Sequence, residues 1–127
     1  MRRKFTLFLL IAVIGYIQLS AQTLDPKFVS TDGAVNAIVQ SGDSVYIGGN
    51  FFTLGLGARG LARFTPGSTK PDVSFPQLSP NSNIQAMEAD GNGGFYLSGY
   101  FTAYNNNPIE PTAIIHILSN GSLDPSF

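Results

Sequence analysis

The sequence predicts an all-β protein made of antiparallel repeat units, and three observations lead to this prediction. The stretch 35–51, VNAIVQSGDSVYIGGNF, recurs about fifty residues later at 84–101 as IQAMEADGNGGFYLSGYF. In each copy two apolar runs are separated by a turn rich in Gly and Asp, which is the pattern of a β-hairpin. A shorter motif, with an Asp three residues before a Phe, recurs at the same period and marks the boundaries of the units.

The boundary motif occurs three times in the chain, as LDPKF at 24–28, PDVSF at 71–75 and LDPSF at 123–127. Self-similarity at this period predicts stacked β units or propeller blades. The predicted repeat region is 22–127. Its parts are repeat one at about 24–71, repeat two at about 72–122, and the start of a third repeat at 123–127.

Two repeats are too few to close a ring. Propellers usually close with about 4 to 8 four-stranded blades. Repeat units bury their apolar faces on their neighbours, and commonly about three or more units are needed for stability. We therefore expect two propeller-blade-like antiparallel repeats that form a fragment of a β-propeller, or a chain that must associate. Open edges at the repeat ends would allow such self-association by β-pairing.

Residues 1–21 are predicted to be a secretory signal peptide. Arg2, Arg3 and Lys4 precede the apolar run 5–17, which is shorter than the roughly 20 residues that span a bilayer as a helix. Cleavage after Ala21 is the expected site, although the sequence before it matches the usual pattern imperfectly. An uncleaved membrane anchor is the alternative. The prediction is an exported protein, secreted or at the cell surface, that leaves the membrane after cleavage.

Composition excludes several classes of partner and cofactor. Loss of residues 1–21 leaves four basic and eight acidic residues, a net charge of −4, which disfavours nucleic acid as a partner. The chain has no Cys, so its stability must come from burial and hydrogen bonding rather than disulfides. The sequence contains no metal-binding cluster or cofactor motif, and we expect neither a metal nor a cofactor.

The boundary motif supplies one Asp and one Phe to each unit, namely Asp25 with Phe28, Asp72 with Phe75, and Asp124 with Phe127. Each Phe is expected to be a large apolar anchor. The three carboxylates could form a functional ring. The favoured interpretation is that each Asp caps its own turn, because Asp commonly does so.

Alternation of apolar residues predicts the strands of each unit. They are 35–40, 45–48 and 61–64 in repeat one, and 84–89, 95–97 and 111–118 in repeat two. On the first strand, Val35, Ala37 and Val39 are expected on one face, with Asn36 and Ile38 on the other. Repeat two has Glu88 on the predicted face of Ile84 and Ala86, where repeat one has Val39. This carboxylate should be either solvated near the strand end or functional, because burying it unpaired is costly.

The second strand of each copy ends in a Gly-x-Phe signature, Gly49 with Phe51 and Gly99 with Phe101. A third apolar run follows in each copy. A glycine where a strand would otherwise continue marks a bulge or the close approach of another backbone. A phosphate-binding loop would need the glycines to open a helix, and no helical period follows.

The remaining polar landmarks have structural and functional interpretations. Residues 90–94, DGNGG, fit a hairpin turn, and an EF-hand loop is excluded because its twelfth position would be Phe101; another kind of calcium site stays open. His116, in the place of Arg63, could be a ligand or a base, but the sequence shows no positioned partner for it. Asn120 and Gly121 predict a turn and also fit a glycosylation acceptor.

The order of these features resembles the delta-60 repeat β-propeller family, whose members are tandem repeats of exported bacterial proteins. The closest matches are VYIGGNF at 45–51 and NGSLDPSF at 120–127, and the repeats cover 24–127. The resemblance implies a propeller-like array without catalytic residues to transfer, commonly a repeat module of larger exported proteins. The chain departs from the family pattern at 71–75 and at His116.

Two classes of function follow. The first is a non-enzymatic exported repeat module for protein or glycan interaction, or for structural spacing. The candidate ligand-binding residues are aromatic, namely Tyr46, Tyr96, Tyr100 and Tyr104. The alternative role of these tyrosines is ordinary half-buried strand packing.

The second class is a glycan-degrading enzyme, a hydrolase or a lyase. A glycosidase needs two carboxyl groups about 5 to 9.5 Å apart, and the candidates are Glu88 with either Asp90 or Glu110. This class is disfavoured, because the chain has only eight acidic residues and most of them fall in predicted turns.

Overall fold

The computed structural model describes residues 27–55, 57–79, 82–109 and 114–127. Within these ranges the chain forms antiparallel β-sheets and no helix, and the sheets do not close into a ring, so the predicted all-β fold is confirmed. No helix long and apolar enough to cross a membrane occurs there. The predicted signal at 1–21, together with Asp25 and Glu110, lies outside the described residues.

The described strands follow the order of the two repeats. They are β1 (Ala34–Ser41), β2 (Ser44–Asn50), β3 (Leu61–Phe64), β4 (Asn83–Ala89), β5 (Phe95–Tyr100), β6 (Ala103–Tyr104), β7 (Asn107–Pro108) and β8 (Ile114–Ile117). Strands β1, β2 and β3 form the first sheet, β4, β5 and β8 form the second sheet, and β6 pairs with β7. The two copies of the repeat therefore fold into equivalent three-stranded units.

Tight turns join β1 to β2, where the sequence predicts a turn rich in Gly and Asp, and β6 to β7. Ser41 pairs with Ser44, so the first hairpin has a two-residue loop that begins with Gly42 at a φ of 57°. Glycine adopts this left-handed conformation at little cost. Asn105 and Asn106 also have positive φ, which closes the β6–β7 hairpin with a turn whose twist matches the strands.

The third apolar run of each copy is only partly a strand. Phe51 and Leu54 are buried, but they belong to a loop in which Leu54 makes isolated bridges to Thr31 and Ala58. In the second repeat the corresponding strand is limited to Ala103–Tyr104. Burial of two side chains in the core therefore explains the apolar character of this run in the first repeat.

A β-bulge near the start of β1 changes the predicted faces of that strand. The register shifts between Val35 and Ala37, which interrupts the alternation of side chains. Asn36 consequently points to the second sheet, where its Nδ2 donates to Asn83 Oδ1 at 3.0 Å and to the Ile84 carbonyl at 2.8 Å. The prediction that Asn36 lies on the face away from Ala37 is wrong for this reason. The prediction that Val35 shares the face of Ala37 is wrong as well, because the two residues pair with the consecutive residues Gly49 and Gly48 of β2 and so lie on opposite faces.

The same bulge occurs in β4, between Ile84 and Ala86. It places Ile84 and Met87 against the first sheet, where both approach Gly48. Glu88 is exposed and does not share the face of Ile84, so that part of the prediction is also wrong. Its carboxylate lies on an exposed strand surface, which is the solvated alternative.

The two sheets stack face to face and enclose the main core. The inner faces are the two that meet, and the outer faces are the two turned away. Buried residues between the inner faces include Tyr46, Leu61, Ile84, Phe95, Leu97, Ile115 and Ile117. A second buried cluster, formed by Ile47, Phe51, Leu54, Ala58, Ala62 and Phe64, lies on the outer face of the first sheet.

Candidate functional site

The boundary turn of the first repeat is held by Asp72. Its Oδ1 accepts hydrogen bonds from the backbone N of Ser74 at 2.9 Å and from the Ser74 hydroxyl at 2.6 Å. Its Oδ2 accepts from Nε of Arg63 at 3.1 Å. Ser74 and then Arg63 lower the pKa of Asp72 to about 2. One carboxylate thus caps its own turn and also ties that turn to β3.

Asp124 repeats this arrangement at the end of the second repeat. Its Oδ1 accepts from the backbone N of Ser126 at 2.8 Å and from the Ser126 hydroxyl at 2.6 Å. Its Oδ2 lies 2.9 Å from Nδ1 of His116. Hydrogen bonds from Ser126, followed by His116, lower the pKa of Asp124 to about 2. Both described boundary carboxylates therefore cap turns, as the favoured interpretation expects.

His116 has a second carboxylate partner that the sequence did not indicate. Its Nε2 lies 2.9 Å from Oδ2 of Asp90, and Oδ1 of Asp90 accepts from the backbone N of Asn92 at 2.7 Å and of Gly94 at 2.9 Å. Asp90 and then Asp124 raise the pKa of His116, while His116 lowers the pKa of Asp90. Both imidazole nitrogens are thus engaged by carboxylates that also cap turns.

This cluster of one imidazole and two carboxylates is a structural tie. His116 is buried, and it joins the β4–β5 turn and the boundary turn to β8. No group of His, Cys, Asp or Glu within the described ranges is placed to hold a metal ion. Alignment of the two repeats indicates one of these contacts, that of His116 with Asp124, because the two residues align with Arg63 and Asp72.

Phe75 lies between the two sheets. On one side its ring contacts Tyr46, with ring centroids 5.5 Å apart, and the guanidinium of Arg63 lies 4.7 Å from its centroid. On the other side it approaches Gly121 of the second repeat, where an added Cβ would lie 3.2 Å from the Phe75 ring. Phe75 is only 3% exposed. It therefore fills the gap between successive units, as a large apolar anchor should.

The other two boundary Phe residues take the same place on the outer faces. Phe127 packs against Tyr96 with centroids 5.4 Å apart and an interplanar angle of 52°, close to the 5.5 Å and 59° of Phe75 with Tyr46. Phe127 is nevertheless 64% exposed, because no described sheet covers it.

Phe28 lies on the outer face of the first sheet. It stacks on Phe64 with centroids 5.4 Å apart and is 51% exposed. Of the three boundary Phe residues, only Phe75 has a described sheet on both sides. Its burial therefore depends on the stacking of two units, and not on the boundary motif alone.

The Gly-x-Phe signature is structural in both repeats. Gly49 and Gly99 face the bulge of the neighbouring strand, where an added Cβ would overlap the carbonyl oxygens of Ala34 and Asn83 respectively. The predicted close approach of another backbone is confirmed. Phe51 and Phe101 are both buried and anchor the chain as it leaves each sheet.

The four candidate tyrosines separate into two pairs. Tyr46 and Tyr104 are buried in the main core, and the Tyr104 hydroxyl donates to the carbonyl of Gly121 at 2.6 Å. Burial raises the pKa of Tyr104. A ligand in solvent cannot reach either ring, so a ligand-binding role does not fit these two residues. Tyr96 and Tyr100 are exposed and remain available for contact.

Comparisons of the chain with protein-family models, with curated proteins and with solved structures found no match. The two repeats are equivalent in their sheet topology and in their boundary contacts. Both repeats share a boundary motif whose Asp binds a side chain of the last strand. This motif lies where one unit meets the next.

Proposed function

We propose that this chain is a non-enzymatic repeat module of an exported protein, whose sheets stack as blades of a β-propeller-like array of the delta-60 type. Its role is to space other elements and to present exposed strand surfaces to a protein or glycan. The observation that carries the proposal is the placement of Phe75 between two equivalent sheets, with its turn tied to the first of them by Asp72 and Arg63.

The stacking is built into the repeat itself. Each unit sets its boundary turn with a carboxylate that binds a cationic or imidazole side chain on its last strand, Arg63 with Asp72 and His116 with Asp124. The turn then places the Phe of the motif on the sheet. A repeat sheet that is covered on one face only gains further burial when another unit stacks on it. The motif thus supports an array whose units contact only their neighbours.

The exposed aromatic residues support a contact role more than a catalytic one. Tyr96 and Tyr100 are accessible at the surface of the second sheet, and tyrosine is common where proteins contact partners or glycans. A glycan-degrading enzyme would pair Glu88 with Asp90 or with Glu110, but the carboxylate of Asp90 holds His116 and its own turn. None of these observations favours the enzyme over the stacking module.

The proposal is tested by adding one unit to the same polypeptide. A second copy of residues 76–127 is fused after Phe127, so that Phe127 takes the place that Phe75 has between two units. The extended chain should unfold in one cooperative transition, at a higher temperature and with a steeper dependence on denaturant than the parent chain, because each added interface stabilises its neighbours.

Phe127→Ala provides the matched control in both chains. It should have a small effect in the parent chain, where the ring is exposed, and a large effect in the extended chain, where the ring lies between two sheets. Two separate unfolding transitions, or an unchanged midpoint in the extended chain, would show that the units do not stack and would refute the proposed function.

A further inference from the structure

The inner interface has a tyrosine at its centre. Tyr46 projects from the first sheet and contacts the two aromatic rings of Phe95 and Phe75, with centroids 4.3 Å and 5.5 Å away. It is 3% exposed. Tyr46 is therefore the residue of the first sheet that fills an aromatic site on the next unit.

The outer face of the second sheet presents the same tyrosine without a partner unit. Tyr96 pairs with His116 across the strands, as Tyr46 pairs with Arg63. Its contact with Phe127 reproduces the distance and the tilt of the buried Tyr46 contact with Phe75. Tyr96 is nevertheless 36% exposed. This surface already has the arrangement that the first sheet has inside the interface.

The outer face of the first sheet presents the corresponding receiving site. An open, mainly apolar cavity of about 250 Å³ is lined in part by Phe28, Val45, Ile47 and Phe64. Phe28 holds the place that Phe75 has in the inner interface, and Val45 holds the place of Phe95. Valine is smaller than phenylalanine. The site that receives a tyrosine is therefore wider on the first sheet, where Val45 lines it, than on the second sheet, where Phe95 lines it.

We infer that copies of this chain associate head to tail, with Tyr96 of one copy entering the cavity beside Phe28 and Val45 of the next copy. This inference rests on the proposed stacking function and names its partner as a second copy of the chain. The two surfaces are different, so the contact is heterologous and leaves a free surface at each end of every pair. Further copies can therefore add.

Side-chain volumes at the edge of this contact compensate one another. Inside the chain, Gly48 is required because a Cβ there would lie 2.8 Å from Cγ2 of Ile84. The second sheet has the larger Ser98 in that place, and the first sheet offers the smaller Val35 where the second has Ile84. Valine lacks the Cδ1 atom of isoleucine, which in Ile84 would lie 3.0 Å from a Cβ at Gly48, so the first sheet leaves more room beside Ser98.

The contact between copies should be weaker than the contact within the chain. Glu88 stands on the outer face of the second sheet where the first sheet has Val39, which packs against the main core. Desolvating a carboxylate opposes association unless it stays at the rim in water. We therefore expect association that depends on protein concentration, and that is lost on dilution.

Disulfide trapping in the full chain tests the inference, because the chain has no Cys of its own. One variant carries Ser98→Cys and a second carries Val35→Cys. In the contact between copies, these two positions correspond to Gly48 and Ile84 in the contact within the chain. Their mixture should give a disulfide-linked dimer under mild oxidation, because a Cβ at Gly48 would lie against the Ile84 side chain inside the chain and a disulfide forms between Cβ atoms about 3.5–4.5 Å apart. A chain with both substitutions should give a ladder of linked oligomers.

Two controls make the test specific. Ser98→Cys is also mixed with a variant carrying Asn106→Cys, an exposed residue of the β6–β7 turn, which measures random collision. Adding Tyr96→Ser to the Ser98→Cys chain should reduce trapping at least about tenfold, as expected for an aromatic residue at the centre of an interface.

Three outcomes would overturn the inference. They are trapping with Val35→Cys no greater than with Asn106→Cys, efficient trapping of Ser98→Cys with itself, and trapping that is insensitive to Tyr96→Ser. If the extended chain still unfolds as one unit in that case, stacking within a chain stands and only the partner is wrong. If the extended chain also fails, the proposed function fails with it.

Discussion

Arg63 and His116 hold the same place in successive repeats, each on the last strand of its sheet and opposite a tyrosine. Each binds the Asp of the boundary motif that follows its own sheet. The substitution keeps the contact but changes its chemistry, since arginine stays charged at all ordinary pH values and histidine titrates near neutrality. The second repeat is therefore the part of the fold that should respond to pH near neutrality.

The free energy of unfolding should be greatest between about pH 3.8 and 6.5. Asp90 and Asp124 raise the pKa of His116 above 6.5, so its stabilising contribution is complete below pH 6.5 and is lost as the pH rises through the folded-state value. The pKa values of both Asp residues are lowered from 3.8, so their contribution is lost as the pH falls through the folded-state values. Urea unfolding at a series of pH values measures both limbs.

His116→Arg identifies the source of the alkaline limb. Arginine restores the residue type of the first repeat and keeps its charge, so the decline in stability just above pH 6.5 should disappear. The acid limb should stay, because the carboxylates are unchanged. An alkaline decline of the same size in this variant would assign the pH dependence to another group.

Phe75→Ala should destabilise the chain by about 3–5 kcal/mol, the usual cost of removing a buried phenylalanine ring. The ring is enclosed between the sheets by Tyr46, Arg63 and the second repeat. Chemical unfolding at low protein concentration measures the loss. Phe127→Ala removes the same residue of the same motif from an exposed position and should cost no more than about 1 kcal/mol. Equal losses in the two variants would contradict the role of Phe75 between the sheets.

Gly49→Ala should cost about 3 kcal/mol or more, because the added Cβ overlaps the backbone of the bulged neighbouring strand and forces the strands apart. Gly67→Ala is the control. Gly67 has a φ of 75° and open space around it, so that alanine there incurs only the left-handed backbone penalty of about 1–2 kcal/mol. Thermal unfolding compares the two variants. A milder effect at Gly49 than at Gly67 would show that close approach does not limit this position.

Features that depend on neighbours in the chain could be predicted from the sequence. The two-residue hairpin loop follows from Gly42 and Asp43, and the cap of Asp72 needs only a serine two residues later. Gly49 also predicts the bulge opposite it, because a glycine within a strand commonly marks a bulge or the close approach of another backbone.

Contacts between distant segments could not be predicted in the same way. Asp90 and His116 are 26 residues apart in the sequence. The position of the Asp90 side chain depends on the shape of the five-residue turn 90–94, which the sequence does not specify. The orientation of Asn36 depends on which residue of the bulge is left unpaired. Alternation alone cannot decide this, because a single extra residue reverses the faces that follow it.

Tyr46 and Tyr96 show most clearly which properties can be predicted from the sequence and which depend on tertiary packing. Both are the same residue of the same strand in two repeats, and this can be predicted from the sequence because the period, the turns and the strand pattern are local properties. The burial of Tyr46 and the exposure of Tyr96 follow from the stacking of the sheets, which no local pattern specifies. Burial depends on what packs against a face, and the second sheet covers the first of these tyrosines while no described residue of this chain stacks a sheet on the second.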